Sequence, residues 1–271
     1  MPDSRLVIVT VVKNDADGLE QTCASIASQD SAVAHLIVNG GVDTATGDVA
    51  RKWAAVLGSQ LVTEADSGPY DAMNKALSLL QPSDRVWYLN AGDVLAMSTS
   101  VSIADQRTSA PDFVWGYGAV KVIEKTGRLR HIPQQAPYSA LNHAYSRTPI
   151  CHQACVVKVQ AMLEVGAFDS RYRIASDYRA LLLLSRLSAP VVWTEALVEY
   201  RAGGMSDRLL LRSQWEQFEI RREFFDGQLP RSLAHLAKAD ARIAVGRGID
   251  LLARTGLIAS DWRSYRANRT G

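Results

Sequence analysis

Four clusters of Asp, Asn and Gly carry most of the polar chemistry in the first hundred residues. They are Lys13-Asn14-Asp15, Asn39-Gly40-Gly41-Val42-Asp43-Thr44, the stretch Glu64 to Lys75 and Asn90-Ala91-Gly92-Asp93. Asp and Asn side chains at these places suit hydrogen bonds to a base and a ribose, and glycine permits close backbone approach to a ligand. No GxGxxG follows the first apolar run and no GxxxxGK(S/T) occurs, so neither a dinucleotide fingerprint nor a P-loop is supported. Cys151 and Cys155 flank His152 and Gln153 in a CxxxC spacing, but the sequence supplies no further ligands for a zinc reading.

The elements that must position these clusters alternate in type. Leu6–Val12, His35–Val38, Gln60–Thr63 and Val86–Leu89 read as strands, and 17–28, 47–57 and 70–80 as helices. In the last helix Tyr70, Met73, Ala76, Leu77 and Leu80 recur on one face, with Asp71, Asn74, Lys75 and Ser78 opposite. Near-continuous apolar strands between helices predict an α/β fold: a Rossmann-like, mostly parallel sheet with helices on both faces. Ligands of such sheets sit outside the carboxyl ends of the strands, where the four clusters lie. After Pro111 the pattern changes to a long strand over 113–123, a hairpin return over 129–132 and a strand over 150–157. A helix over 174–187 and a strand over 191–201 follow. Leu211, Trp215, Phe218 and Phe225 mark one face of a further helix, and 233–252 reads as an arginine-studded one.

Composition excludes several classes. A net charge of +2 argues against a nucleic-acid binder, and no apolar run is long enough to span a membrane. Three cysteines in 271 residues imply no disulfide framework, and the expectation is a cytoplasmic protein. The near-neutral total is a cancellation. Residues 201–271 hold 13 Lys/Arg against 8 Asp/Glu, whereas 1–200 hold 17 against 20.

The segments VTVVKNDADGLEQTCASIASQD, IVNGGVDTATGD, EADSGPYDAMNKAL, WYLNAGD, ICHQA and ASDYRALL occur in this order over residues 6–184. Together they resemble family 2 glycosyltransferases of the GT-A fold, nearest to bacterial envelope-polysaccharide and glycolipid enzymes of the colanic-acid type. The resemblance implies an inverting, non-processive transfer of one sugar from a nucleotide-diphosphate donor to an acceptor hydroxyl, assisted by Mn²⁺ or Mg²⁺. It implies that Thr10, Val12 and Asn14 line the nucleoside, and that Asn39 and Gly40 stand where relatives read the base. Asp66 would contact base or ribose, with Asp71, Asn74 and Lys75 beside it. Asn90, Ala91 and Gly92 lead to Asp93 at the metal and diphosphate. His152 and Gln153 would line the donor sugar or diphosphate, and Asp177 matches the catalytic base. The chemistry asks for these types: a carboxylate takes the acceptor proton, and positive charge stabilises the departing diphosphate.

Departures from the family pattern concern the same residues. Asn90-Ala91-Gly92-Asp93 keeps one carboxylate where Asp-x-Asp-Asp is common, and Mg²⁺ can be held by one carboxylate plus phosphates. Asn39 replaces a common aspartate, and the QxxRW signature of processive synthases is absent. Plainer roles stand beside these. Asp71 follows Pro69 in a first helical turn, Ser176 can cap the helix that carries Asp177, and His152 can be an interior histidine. Gly203-Gly204-Met205-Ser206 reads either as a helix-entry loop or as a mobile loop over the donor phosphates.

The expected organisation is a catalytic domain over 1–205, divided into a nucleotide-sugar half (1–110) and an acceptor-side half (111–205), with a helical extension over 206–271. Arg208, Arg212, Arg221, Arg222, Arg231, Arg242, Arg247 and Arg254 read as solvated helix faces or as a peripheral contact with the inner face of the membrane. The acceptor implied is a glycan or a lipid-linked precursor. Two rival functions are a sugar-phosphate nucleotidyltransferase, against which the missing glycine-rich GxGxR loop counts, and a degenerate nucleotide-sugar binder.

Overall fold

The computed structural model describes residues 4–124, 126–133, 136–145, 150–202 and 209–225. Alternation along the buried strands decides which side each residue serves. In β1 (Leu6–Val12), Val7, Val9 and Val11 face one core with Val86 and Tyr88 of β4 (Arg85–Tyr88). Leu6 and Ile8 face the other side with Trp87. The first core is closed by α3 (Pro69–Leu77), α6 (Val159–Glu164) and α7 (Ser176–Leu187), through Met73, Met162, Leu181 and Leu184. The opposite side is covered by α1 (Ala16–Ala27), α2 (Thr44–Leu57) and α4 (Ser100–Thr108), through Leu19, Cys23, Trp53 and Val101. Helices therefore cover both faces, as the continuous apolar strands predict.

Nine strands form the sheet. β2 (Ala34–Asn39), β3 (Gln60–Thr63), β1 and β4 pair in parallel, in the order β3-β2-β1-β4. Next come β8 (Cys155–Lys158), β6 (Trp115–Ile123), β9 (Val191–Arg201) and β5 (Val94–Leu95), with β7 (Leu129–Ile132) on the free side of the β6 hairpin. The parallel half sends the ends of four strands, and hence the four polar clusters, to one edge. Antiparallel β8 sets Val156 against Trp87, so the residues just before β8 arrive at that same edge.

Several boundaries differ from the sequence reading. The strand expected over 150–157 begins only at Cys155, because 152–154 coil into a 3₁₀ turn closed by the Cys155 N–H on the His152 carbonyl. The helix expected over 70–80 ends at Leu77. Ser176 is not a cap: Ala175 occupies that position, and the buried Ser176 hydroxyl has no partner among the described residues. Short elements α4, α5 (Ala140–Tyr145), α6 and β5 had no period long enough to be read. The last described helix, α8 (Leu210–Phe225), packs Ile220 and Phe224 against Tyr172, Tyr178 and Leu182. The predicted loop 203–206, the helix 233–252 and Arg208, Arg231, Arg242, Arg247 and Arg254 lie outside the described residues.

Close packing of β6 on β9 depends on a missing side chain. A Cβ on Gly118 would lie 2.0 Å from Trp193 Nε1 and 2.7 Å from the Glu195 carbonyl oxygen. Backbone cannot swing aside as a side chain can, so Gly118→Ala is expected to lower stability by about 1–3 kcal/mol, read as a lower urea midpoint.

Candidate active site

The first loop cluster is largely occupied in building itself. Asp15 caps α1 through the Gly18 N–H, and Asp43 caps α2 through the Thr46 N–H and hydroxyl. Asn14 adopts a left-handed backbone (φ 52°) and accepts from the Asp43 N–H at 3.3 Å. Asn39 is buried and accepts the Gly41 N–H at 3.0 Å. The Thr10 side chain points away from this edge into the α1/α2 side, where its hydroxyl pairs with His35 Nε2 at 3.0 Å. Val12 is likewise packed among Leu19, Ile37 and Trp53, leaving its backbone carbonyl to receive the Gly40 N–H.

Gly40 is the close approach of the site. A Cβ there would fall 1.3 Å from Asp66 Oδ2, so the strand-2 loop lies directly on that carboxylate. Asp66 accepts from the Gly68 N–H at 3.0 Å and from Lys13 Nζ at 3.2 Å; Lys13 also reaches the Asp66 carbonyl. The DAMNK residues serve the neighbouring turns. Asp71 accepts from the Ser67 N–H and hydroxyl, which holds its carboxyl below the ordinary range. Lys75 ties the Ala65 carbonyl to Glu64, and Asn74 makes a two-bond clasp on the N–H and C=O of Phe168. Asp66, Lys13 and Gly40 thus meet at one point beside the strand ends, while Asn74 faces a structural turn.

A second group converges at the end of β4. Asp177, in the first turn of α7, accepts from the Tyr70 hydroxyl and from the Tyr178 N–H on Oδ1, each at 2.8 Å. Its Oδ2 lies 2.9 Å from His152 Nδ1, and His152 Nε2 lies 3.2 Å from Asn90 Nδ2. Trp87 donates its indole N–H to the Gln153 carbonyl at 2.7 Å, fixing the 3₁₀ turn against β4. Asn90, His152 and Asp177 are 87 residues apart in sequence and one hydrogen-bonded chain in space. Tyr70 belongs to this chain although periodicity places it on an apolar face; its hydroxyl was the only signal available.

No protein-family model matches the sequence. An uncharacterised glycosyltransferase of Mycobacterium tuberculosis is 26% identical over 206 residues, covering 73% of this chain and 75% of that protein. A PGL/p-HBAD biosynthesis glycosyltransferase of Mycobacterium bovis is 28% identical over 152 residues, 53% of this chain and 54% of its own length. Among solved structures, the mannosyltransferase PcManGT from Pyrobaculum calidifontis, in complex with GDP-Man and Mn²⁺, matches 98% of this chain and 79% of its own. Its TM-score is 0.62 at 18% identity. S. aureus TarS 1–349 with UDP-GlcNAc matches 89% and 71%, with a TM-score of 0.62 at 15% identity; of the longer TarS chain only 42% is spanned. The chain is similar in sequence to these glycosyltransferases and has the GT-A fold of the solved ones.

The two acids at this edge, Asp177 and Asp93, differ in charge state. Burial raises the Asp177 carboxyl, but hydrogen bonds from His152 and Tyr70 and the imidazolium charge outweigh it and leave the group below its ordinary range. Burial likewise lowers His152, and the Asp177 and Asp93 carboxylates more than reverse that. Each partner therefore favours the charged form of the other, and the stabilisation of the charged pair is present between the lowered Asp177 and raised His152 values and is lost on either side of that window. The two orientations of the Asn90 amide match the two states of His152, because Nε2 accepts when neutral and donates when protonated.

Asp93 is the opposite case. The residue is only 7% exposed, Oδ2 is buried with no partner among the described residues, and desolvation pushes the carboxyl up to about 7. Such an oxygen fits a hard divalent cation completed by diphosphate oxygens. Among the described residues no three His, Cys, Asp or Glu side chains cluster as a self-sufficient metal site, so Asp93 would hold an ion together with a bound donor. Burial pushes the Cys151 thiol up to about 11 and raises Cys155 as well, and neither is a thiolate ligand. Folded Asp93 keeps its proton to about pH 7 while the unfolded chain releases it near the ordinary carboxylate value, so stability falls as pH rises between them. Asp93→Asn is expected to abolish that slope and to gain urea midpoint over the wild type toward pH 8 in metal-free buffer.

Proposed function

We propose that this glycosyltransferase moves one sugar, with inversion, from a nucleotide-diphosphate donor to a hydroxyl of an envelope glycan or lipid-linked precursor. The observation that carries the reading is the lone-pair inventory of Asp177. Tyr70 and the Tyr178 N–H fill Oδ1, and His152 takes one site on Oδ2. One acceptor site on Oδ2 is left, on a side chain 22% exposed at the edge where the parallel strands end. There the acceptor hydroxyl gives its proton to Asp177 while its oxygen bonds to the anomeric carbon. The carbon–oxygen bond to the diphosphate breaks, and the nucleoside diphosphate leaves with the bonding electrons. His152 donates from Nδ1 to Asp177 Oδ2 and so fixes the orientation of the carboxylate beside the reacting centre. A divalent ion at Asp93 supplies charge neutralisation for the leaving diphosphate when it is bound. Lys13, Gly40 and Asp66 form the wall proposed for the nucleoside, with Asn39 shaping the Gly41 turn behind it.

Incubation with UDP-GlcNAc or GDP-mannose and Mn²⁺ separates the reading from its rivals. Free nucleoside diphosphate supports transfer, nucleoside triphosphate and sugar phosphate formed once pyrophosphate is added indicate a nucleotidyltransferase, and binding without turnover in either case indicates a binder. Asp177→Asn is expected to retain nucleotide binding while turnover drops by about 10²–10⁴-fold. Wild-type turnover in that variant removes Asp177 from its role.

The domain reading takes the form of a catalytic body with a helical extension that starts near residue 206. Leu211 and Trp215 on α8 are 73% and 62% exposed, beside the exposed cations Arg212 and Arg222. No described helix is long and apolar enough to cross a membrane. The proposed contact is therefore peripheral, with the two apolar side chains at the headgroup level and the arginines on anionic lipid. The full chain is expected to float with phosphatidylserine vesicles, and Leu211→Glu/Trp215→Glu to remain at the bottom of the gradient. Equal flotation of the two removes the contact.

A further inference from the structure

Glu216 is a buried carboxylate far along the chain from every motif of the site. Its side chain is 6% exposed, yet it lies on α8, a helix whose other inward residues include Ile220 and Phe224. Burying a carboxylate is costly unless donors meet it, and here four do. Oε1 accepts from the Arg173 N–H at 3.2 Å and from Arg212 Nε at 2.8 Å. Oε2 accepts from the Ile174 N–H at 2.8 Å and the Ala175 N–H at 3.0 Å. Three consecutive backbone donors thus converge on one side chain immediately before α7. That helix has no side-chain cap of its own.

The turn so gripped is the one that aims Asp177. Ile174 is held at its N–H by Glu216, and its C=O lies 2.9 Å from the Tyr70 hydroxyl, whose single proton is shared between that carbonyl and Asp177 Oδ1. An apolar residue at 216 would leave three N–H groups buried without acceptors. We infer that Glu216 is a positioning residue for the transfer reaction: the C-terminal helix clamps the 173–175 turn and so sets the angle and reach of the Asp177 carboxylate. On this account α8 is part of the catalytic apparatus. The inference rests on the reading of Asp177 as the base.

Four proteins test it at full length: Asp177→Asn, Glu216→Leu, Glu216→Gln and the Asp177→Asn/Glu216→Leu pair. They are compared by nucleoside diphosphate release from UDP-GlcNAc or GDP-mannose, whichever the wild type turns over, and by UDP and GDP titration with Mn²⁺. A displaced reacting group costs up to about 10²-fold, so Glu216→Leu is expected to lower kcat by roughly 10–100-fold with donor KM within about twofold. Glu216→Gln, which keeps an acceptor oxygen, recovers part of the loss. In the Asp177→Asn background, Glu216→Leu is expected to cost nothing further, because the group it aims is already gone. Wild-type kcat in folded Glu216→Leu, or the same fold loss with and without Asp177, overturns the inference. Should Glu216→Leu not fold, Glu216→Gln carries both comparisons, and an unchanged kcat there overturns it equally. Full turnover by Asp177→Asn alone is a different result: it overturns the base assignment, whatever the Glu216 variants do.

Discussion

An ionised carboxylate survives in a mostly closed site only where donors replace the water it has lost, and Asp177 draws those donors from three separate elements. Tyr70 comes from α3, His152 from the turn before β8, and the Tyr178 N–H from α7 itself. Each contributor needs its own support. The indole of Trp87 pins the His152 turn, and Asn74 clasps Phe168, whose ring stacks on Tyr70 at 5.3 Å. The requirement to keep one carboxylate charged and correctly turned therefore reaches into both halves of the sheet.

The two acids at this edge are solved in opposite ways. Asp177 has more donors than its burial demands and is held charged; Asp93 has an oxygen with none and is driven toward neutrality. Environments that push neighbouring titratable groups apart are the usual mark of divided labour at a reacting centre. In the proposed mechanism the division is between a group that receives a proton and one whose charge is welcome only when a cation and a diphosphate arrive. The uncompensated oxygen is a cost to the folded protein, and such costs are tolerated where function needs them.

Charge along the chain acquires a similar division. The body over 1–200 is slightly acidic and places its carboxylates at the strand ends, whereas α8 brings Arg212 and Arg222 to an exposed surface and Glu216 to the interior. One helix thus presents two different faces: Leu211 and Trp215 outward, Glu216 and Phe224 inward. The inward face touches the turn ahead of Asp177.

Local sequence was sufficient wherever a short-range rule applied. Apolar runs such as Leu6–Val12 can be satisfied only between two layers, so the α/β architecture and the edge bearing the polar clusters were legible from periodicity alone. Asp93, His152 and Asp177 were legible by resemblance. What the sequence could not specify was which polar atoms are spent within the protein. Asn74, Asp71 and Thr10 are indistinguishable by type from ligand-binding residues, yet each closes a bond to a nearby backbone or side-chain group. Tyr70 and Glu216 show the converse, since periodicity assigns Tyr70 to an apolar face and no motif marks Glu216. Hydrogen bonding depends on where a side chain ends in three dimensions, and residues 70, 90, 152, 177 and 216 meet only after the antiparallel β8 and the docking of α7 and α8 have fixed those endpoints.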